Sequence, residues 1–156
     1  MDGVNAMNAG FNARKTLTIM LILTVSASLI GCSKKTSDRD ISLINAGDAQ
    51  AIVQGRSKLL GLGGTTVGVW LDPRSERDFR LGHIPGAVNL PFQNVAKDHH
   101  ILQDYEVIVV YGSTYNDPKA NAMSKRLMQL GYKDVKTLRG GLSGWKAAGF
   151  EVEEGE

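Results

Sequence analysis

Cysteine is almost absent from this sequence: Cys32 is the only one in 156 residues. A single thiol excludes an internal disulfide, a Cys-x-x-Cys redox pair and a thiolate metal site. Charge of either sign is not in excess, since 18 Lys and Arg stand against 16 Asp and Glu for a net of +2. That balance gives no ground for a nucleic-acid partner. The aromatics, 6% of the chain, nowhere interleave with a basic cluster. A long apolar run is missing too. The uncharged stretch Thr16–Ile30 has 15 residues, against the roughly 20 that a membrane-crossing helix needs. No metal or cofactor site is expected from these absences.

What precedes Cys32 is patterned. Arg14 and Lys15 form a positive flank, TLTIMLILTVSASLI supplies an apolar stretch, and Leu29-Ile30-Gly31-Cys32 closes it. This arrangement resembles a bacterial lipoprotein signal peptide, 1–31, whose cysteine is lipidated before cleavage. The chemistry needs a thiol there, because only sulfur supplies the thioether to the lipid. Lys34 and Lys35 would also flank a short uncleaved anchor, so that alternative stays open. Met7 is a second candidate start. From Cys32 onward there are 125 residues with a net charge of +1, which suits one domain. The expected organisation is a lipidated tether over 32–40, a globular domain over 41–150 and an acidic tail over 151–156. The resemblance implies a cell-envelope protein outside the cytoplasmic membrane, held to the bilayer through Cys32 and able to meet an envelope protein partner.

Within the domain, helical and strand patterns alternate. A helix is expected over about 48–54. Gly61, Gly63 and Gly64 follow, but they precede a strand-like run and no Gly-Lys-Ser/Thr comes after them, so they read as a connection and not a phosphate loop. Val67–Leu71 and Val107–Tyr111 are unbroken apolar runs rich in β-branched residues, as in strands buried on both faces of a parallel sheet. Ala87–Leu90 and Val135–Leu138 are weaker strand candidates. Ser75-Glu76-Arg77-Asp78 is a capping box. Asp117-Pro118 is an N-cap followed by proline at the first helical position. Ala120, Met123, Leu127 and Leu130 then form one apolar stripe, which Gly131 ends. A last short helix after Gly140-Gly141 carries Trp145. The alternation predicts an α/β domain with a mainly parallel central sheet flanked by helices in three layers.

Two stretches resemble a rhodanese (thiosulfate sulfurtransferase) domain. VWLDPRSERDFRLGHIPGAVNLP, 69–91, has the family's Asp-x-Arg at Asp72 and Arg74, followed by Gly82-His83-Ile84-Pro85-Gly86-Ala87. VIVVYGSTYNDPKANAMSKRLMQLGYKDVKTLRGGLSGW, 107–145, matches the family's strand, active-site loop, helix, strand, Gly-Gly and Trp order. The resemblance implies a loop whose first residue is a cysteine that carries sulfur as a persulfide, with loop and helix N–H groups stabilising the anion. At that position this chain has Gly112. The rest of the loop, Ser113, Thr114, Tyr115, Asn116 and Asp117, is two residues longer than the commonest family pattern.

No neighbour replaces the thiol. Ser113 and Thr114 cannot form the sulfur–sulfur bond, and no adjacent base is evident to activate them as phosphatase nucleophiles. Asp117 reads as the helix cap, and Lys119 is the nearest cation where the family has an arginine. Asp72 and Arg74 read as a structural pair, His83 as bonded to the backbone, and Gly86 as shaping a turn. No catalytic residue is therefore expected. The sequence points to a membrane-anchored rhodanese-like module without sulfurtransferase activity, a pseudoenzyme that binds a protein or a small anion around 112–119. The alternative is a sulfur-handling protein that binds sulfur compounds or works with a partner's thiol. On the lipoprotein expectation, Cys32→Ala abolishes incorporation of labelled palmitate and leaves uncleaved precursor. Label persisting on another residue contradicts the assignment.

Overall fold

A computed structural model describes residues 35–55 and 67–155. Cys32, the leader and the glycine segment around Gly61, Gly63 and Gly64 lie outside the described residues. Five parallel strands make one sheet: β1 (Ser42–Ile44), β2 (Gly68–Asp72), β3 (Val88–Asn89), β4 (Val107–Val110) and β5 (Asp134–Leu138). Their spatial order is β1-β5-β4-β2-β3, so β4 is central. Val110 stands opposite Leu71 on one side and Thr137 on the other, so β2, β4 and β5 finish at a common edge.

The helices are α1 (Ala46–Val53), α2 (Glu76–Arg80), α3 (Val95–Asp98), α4 (Pro118–Gln129) and α5 (Gly141–Ala147). Their starts follow local chemistry. The Asn45 side chain accepts from the Asp48 N–H, so α1 opens at Ala46, two residues before the sequence places it. Ser75 caps α2 by accepting from the Asp78 N–H, and its hydroxyl donates to the Asp78 carboxylate. Asp117 caps α4, with Pro118 in its first turn. The expected strand over 87–90 is only two residues long. Residues 92–102 form short helical pieces that the sequence pattern does not announce.

The apolar strands split their side chains by the period of two that a pleated strand imposes. Val69, Leu71, Ile108, Val110 and Val135 face one way, against Ala120, Met123 and Leu127 of α4 together with Leu90, Val95 and Leu102. Trp70, Val107, Val109, Tyr111 and Leu138 face the other way, against Ala49, Ile84, Leu142 and Trp145. Because both faces are covered, β4 has no residue that meets water. This explains why its run is continuous and not alternating. Within the first core, the Ser124 and Thr137 hydroxyls bond each other at 2.7 Å and tie α4 to β5 without an unpaired polar atom.

The ends of the domain are tied down. Lys125 meets Asp38 at 2.6 Å, and Gln129 donates to Thr36, so 36–40 lie along α4 where the sequence reads a tether. The acidic tail also docks: His83 and Glu153 exchange backbone hydrogen bonds, and the Gly155 N–H donates to Arg80. Truncation in the first core should therefore be costly and truncation at the surface cheap. Leu127→Ala, fully buried, should lower unfolding stability by about 2–5 kcal/mol in urea titration. Leu81→Ala, 67% exposed, should change it by about 0.5 kcal/mol or less.

Candidate functional site

The carboxyl edge of a parallel sheet is where α/β folds place their chemistry; here Asp72 ends β2, and Tyr111 and Arg139 directly follow β4 and β5. Beneath the edge lies a buried ion pair. Arg74 folds back on Asp72, its Nε donating to both carboxylate oxygens at 2.9 and 3.0 Å, its Nη2 to Oδ2, and its backbone N–H to Oδ1. The same Nη2 donates to the Gly82 carbonyl at 2.8 Å. Burial opposes the charge on Arg74, but the hydrogen bond and charge of Asp72 outweigh it and hold the guanidinium more firmly protonated than usual.

Tyr111 connects this pair to the loop above. It is fully buried, its ring 5.7 Å from the Arg74 guanidinium, and its hydroxyl accepts from the Ile84 N–H at 3.2 Å. Burial first, and then the charge of Asp72, push its hydroxyl far above the ordinary tyrosine range. His83 is also fixed. Its ring stacks on Phe79 at 3.8 Å, Nδ1 lies 3.0 Å from the Phe79 carbonyl, and Nε2 lies 3.7 Å from Glu153. Gly86, with φ of 74°, turns the chain so that the Ala87 N–H meets the Ile84 carbonyl.

The loop itself is held at two sides. On one, Gly112 O accepts from the Leu142 N–H at 2.8 Å, and Ser113 O accepts from the N–H and hydroxyl of Ser143. This requires the backbone of α5 to come very close. A Cβ on Gly141 (φ of 55°) would lie 2.5 Å from the Gly112 oxygen, which is why glycine opens α5. On the other side, the Asp117 carboxylate accepts from Ser113 N–H through Oδ2 at 2.8 Å. Its Oδ1 takes the N–H groups of Lys119 at 2.8 Å and Ala120 at 3.4 Å. Both oxygens are thus engaged by backbone donors of the loop and of the first turn of α4.

Thr114, Tyr115 and Asn116 project from the loop into solvent, with Asn116 in the left-handed region at φ of 55°. Lys119 is exposed on the side of α2, where it and Arg74 add to the effect of the Ser75 hydroxyl in holding the Asp78 carboxyl below its usual range. The hollow between the loop, β5 and Leu43 measures about 10 Å³, room for one water at most. A hollow of about 280 Å³ lies elsewhere, against Trp70, Trp145 and Phe150, and none of the loop residues 112–119 lines it. Among the described residues no group of His, Cys, Asp and Glu is placed to hold a metal. Sequence reasoning singles out Gly112–Lys119, which run from the end of β4 into the first turn of α4. It misses Ser143, Leu142 and Tyr111 as the supports of the loop. The double glycine was the only visible sign of the first two.

Fold and site together define a class: a three-layer α/β domain in which the loop after the central strand is closed by the first turn of the last helix. The profile of the Rhodanese-like domain matches residues 57–148, and the chain belongs to that family. It is similar to the uncharacterized protein BU052 of Buchnera aphidicola, 34% identical over 80 residues that make up 49% of this chain and 54% of that protein. It is also similar to the thiosulfate sulfurtransferase GlpE of Pseudoalteromonas translucida, 30% identical across 53% of this chain and 77% of that one. Among solved structures, thiosulfate sulfurtransferase from Pseudomonas aeruginosa superposes with a TM-score of 0.58 at 31% identity, covering 74% of this chain and 20% of that one. The chain spans about half the length of the first of these relatives.

The buried pair should govern stability more than the loop does. Asp72→Ala leaves the Arg74 guanidinium buried without its partner and should cost about 3–5 kcal/mol in chemical denaturation. A loss under about 1 kcal/mol would show that the pair is not the support of this edge.

Proposed function

We propose that this chain is a rhodanese-like domain that does not transfer sulfur, carried at a membrane by lipid on Cys32, and that it acts by binding a partner protein on the face around Gly112–Lys119. The observation that carries this reading is the chemistry of the loop: its residues offer no thiol. The only cysteine of the chain precedes the domain in sequence. Position 112, where the resemblance puts the family's nucleophile, is glycine.

The other side chains nearby do not supply a nucleophile. The Ser113 and Thr114 hydroxyls are exposed, and a hydroxyl needs a positioned base to react near neutral pH. His83 is held by the Phe79 carbonyl and Glu153. Between a protein and a small anion as the ligand, the arrangement favours the protein. The loop and helix N–H groups that would receive an anion already serve Asp117. What remains open is a rim where Tyr115 is 59% and Leu43 44% exposed, beside the exposed Arg139. Exposed tyrosine and arginine are the residue types that anchor protein contacts.

The likeness to thiosulfate sulfurtransferases supports a second reading, in which the domain still binds sulfur compounds or works with a thiol from its partner. Two measurements separate the readings. The domain from residue 33 onward, given thiosulfate and cyanide, should form thiocyanate no faster than a control without protein. Clear turnover contradicts the proposal. Calorimetric heat with thiosulfate or sulfite at millimolar concentration favours the second reading, and no heat favours the first.

A further inference from the structure

We propose that the loop between β4 and α4 carries its own occupant: the Asp117 side chain fills the place of a side chain at position 112, so that glycine at 112 and aspartate at 117 are a coupled pair. The inference deepens the reading above, on which it rests for the identity of the site, and it accounts for the loop being more than a nucleophile short.

Glycine at 112 is not there for backbone freedom, since it is not among the glycines in the left-handed region. Any residue could adopt its φ. What forbids a side chain is space. A Cβ built on Gly112 would overlap Cβ and Cγ of Asp117 and lie 2.6 Å from Oδ2. All three nearest obstacles belong to that one residue. A contact this short requires an atom to move, because real Cβ atoms keep about 3 Å or more from non-bonded neighbours.

Asp117 is not free to swing aside. Its Oδ2 is held by the Ser113 N–H and its Oδ1 by the N–H groups of Lys119 and Ala120, and it is the N-cap of a 12-residue helix. Moving the carboxylate would leave those donors without their acceptor. The two positions thus exclude each other's alternatives: a side chain at 112 requires residue 117 to shrink to glycine, because even the Cβ of Asp117 is in the way. A thiol at 112 is therefore not regained by one substitution. Gly112→Cys alone would have to displace the cap of α4.

The test is a double-substitution cycle on the full chain, read by thermal unfolding of the wild type, Gly112→Ala, Asp117→Gly and the two combined. Gly112→Ala should lower the midpoint by roughly 5 °C or more when residue 117 is aspartate. It should lower it by about 1 °C or less when residue 117 is glycine. Equal losses in both backgrounds overturn the coupling. If Gly112→Ala alone yields no folded protein, recovery of folded protein by adding Asp117→Gly supports the proposal and failure to recover it counts against it. Thiosulfate turnover by the wild type would refute the functional reading and leave the coupling standing, whereas an additive cycle does the reverse.

Discussion

The carboxyl edge of this domain depends on one buried interaction, the pairing of Arg74 with Asp72. Two charges taken from water must satisfy each other and then find partners for their remaining hydrogen-bonding groups. Arg74 does both by spending one nitrogen on the Gly82 carbonyl. That bond fixes the segment containing His83 and Ile84, and Ile84 in turn donates to Tyr111 at the end of the central strand. Tyr111 is the residue immediately before the loop. A contact made two residues past β2 therefore sets the floor on which the loop between β4 and α4 is built.

Above that floor the loop is closed by two different means. The backbone of α5 approaches so near that its first turn donates to the carbonyls of Gly112 and Ser113. From the opposite side the Asp117 carboxylate takes the Ser113 N–H together with the first donors of α4. A helix N-terminus and a loop of inward N–H groups form a place for negative charge, and in this chain the negative charge is a residue of the chain. The consequence reaches function. In this domain of the Rhodanese-like family the loop after the central strand holds no cysteine, and Asp117 leaves no space for a side chain at 112. On the proposed reading, the surface left around it, with Tyr115 and Leu43 exposed, serves contact with a partner.

Much of this was legible in the sequence where local pattern decides the outcome. The unbroken runs around Val69 and Val109 announce strands covered on both faces, and Asp117-Pro118 announces the start of α4. The expected start of α1 at about 48 falls two residues late, because the cap is Asn45, whose side chain accepts from the Asp48 N–H. Residues 92–102 were illegible because short helical turns repeat no apolar period. At the site, the sequence reveals that position 112 lacks a side chain but not why. The overlap with Asp117 is a contact across a loop, and no spacing rule encodes it. Gly140-Gly141 likewise reads as a helix lead-in, and only the fold discloses that the Gly112 carbonyl lies where a Cβ would be.

The Asp117 carboxylate holds the loop and helix N–H groups from within. Amide hydrogen exchange of Ser113 tests it most directly, because this residue is exposed and Asp117 is the acceptor of its N–H. This amide should exchange well below the rate of an unprotected loop amide in the wild type. Its protection should be lost in Asp117→Gly while that of Val109, in the core strand, is kept. Unprotected exchange of Ser113 in the wild type, or protection that survives the loss of the carboxylate, would contradict it.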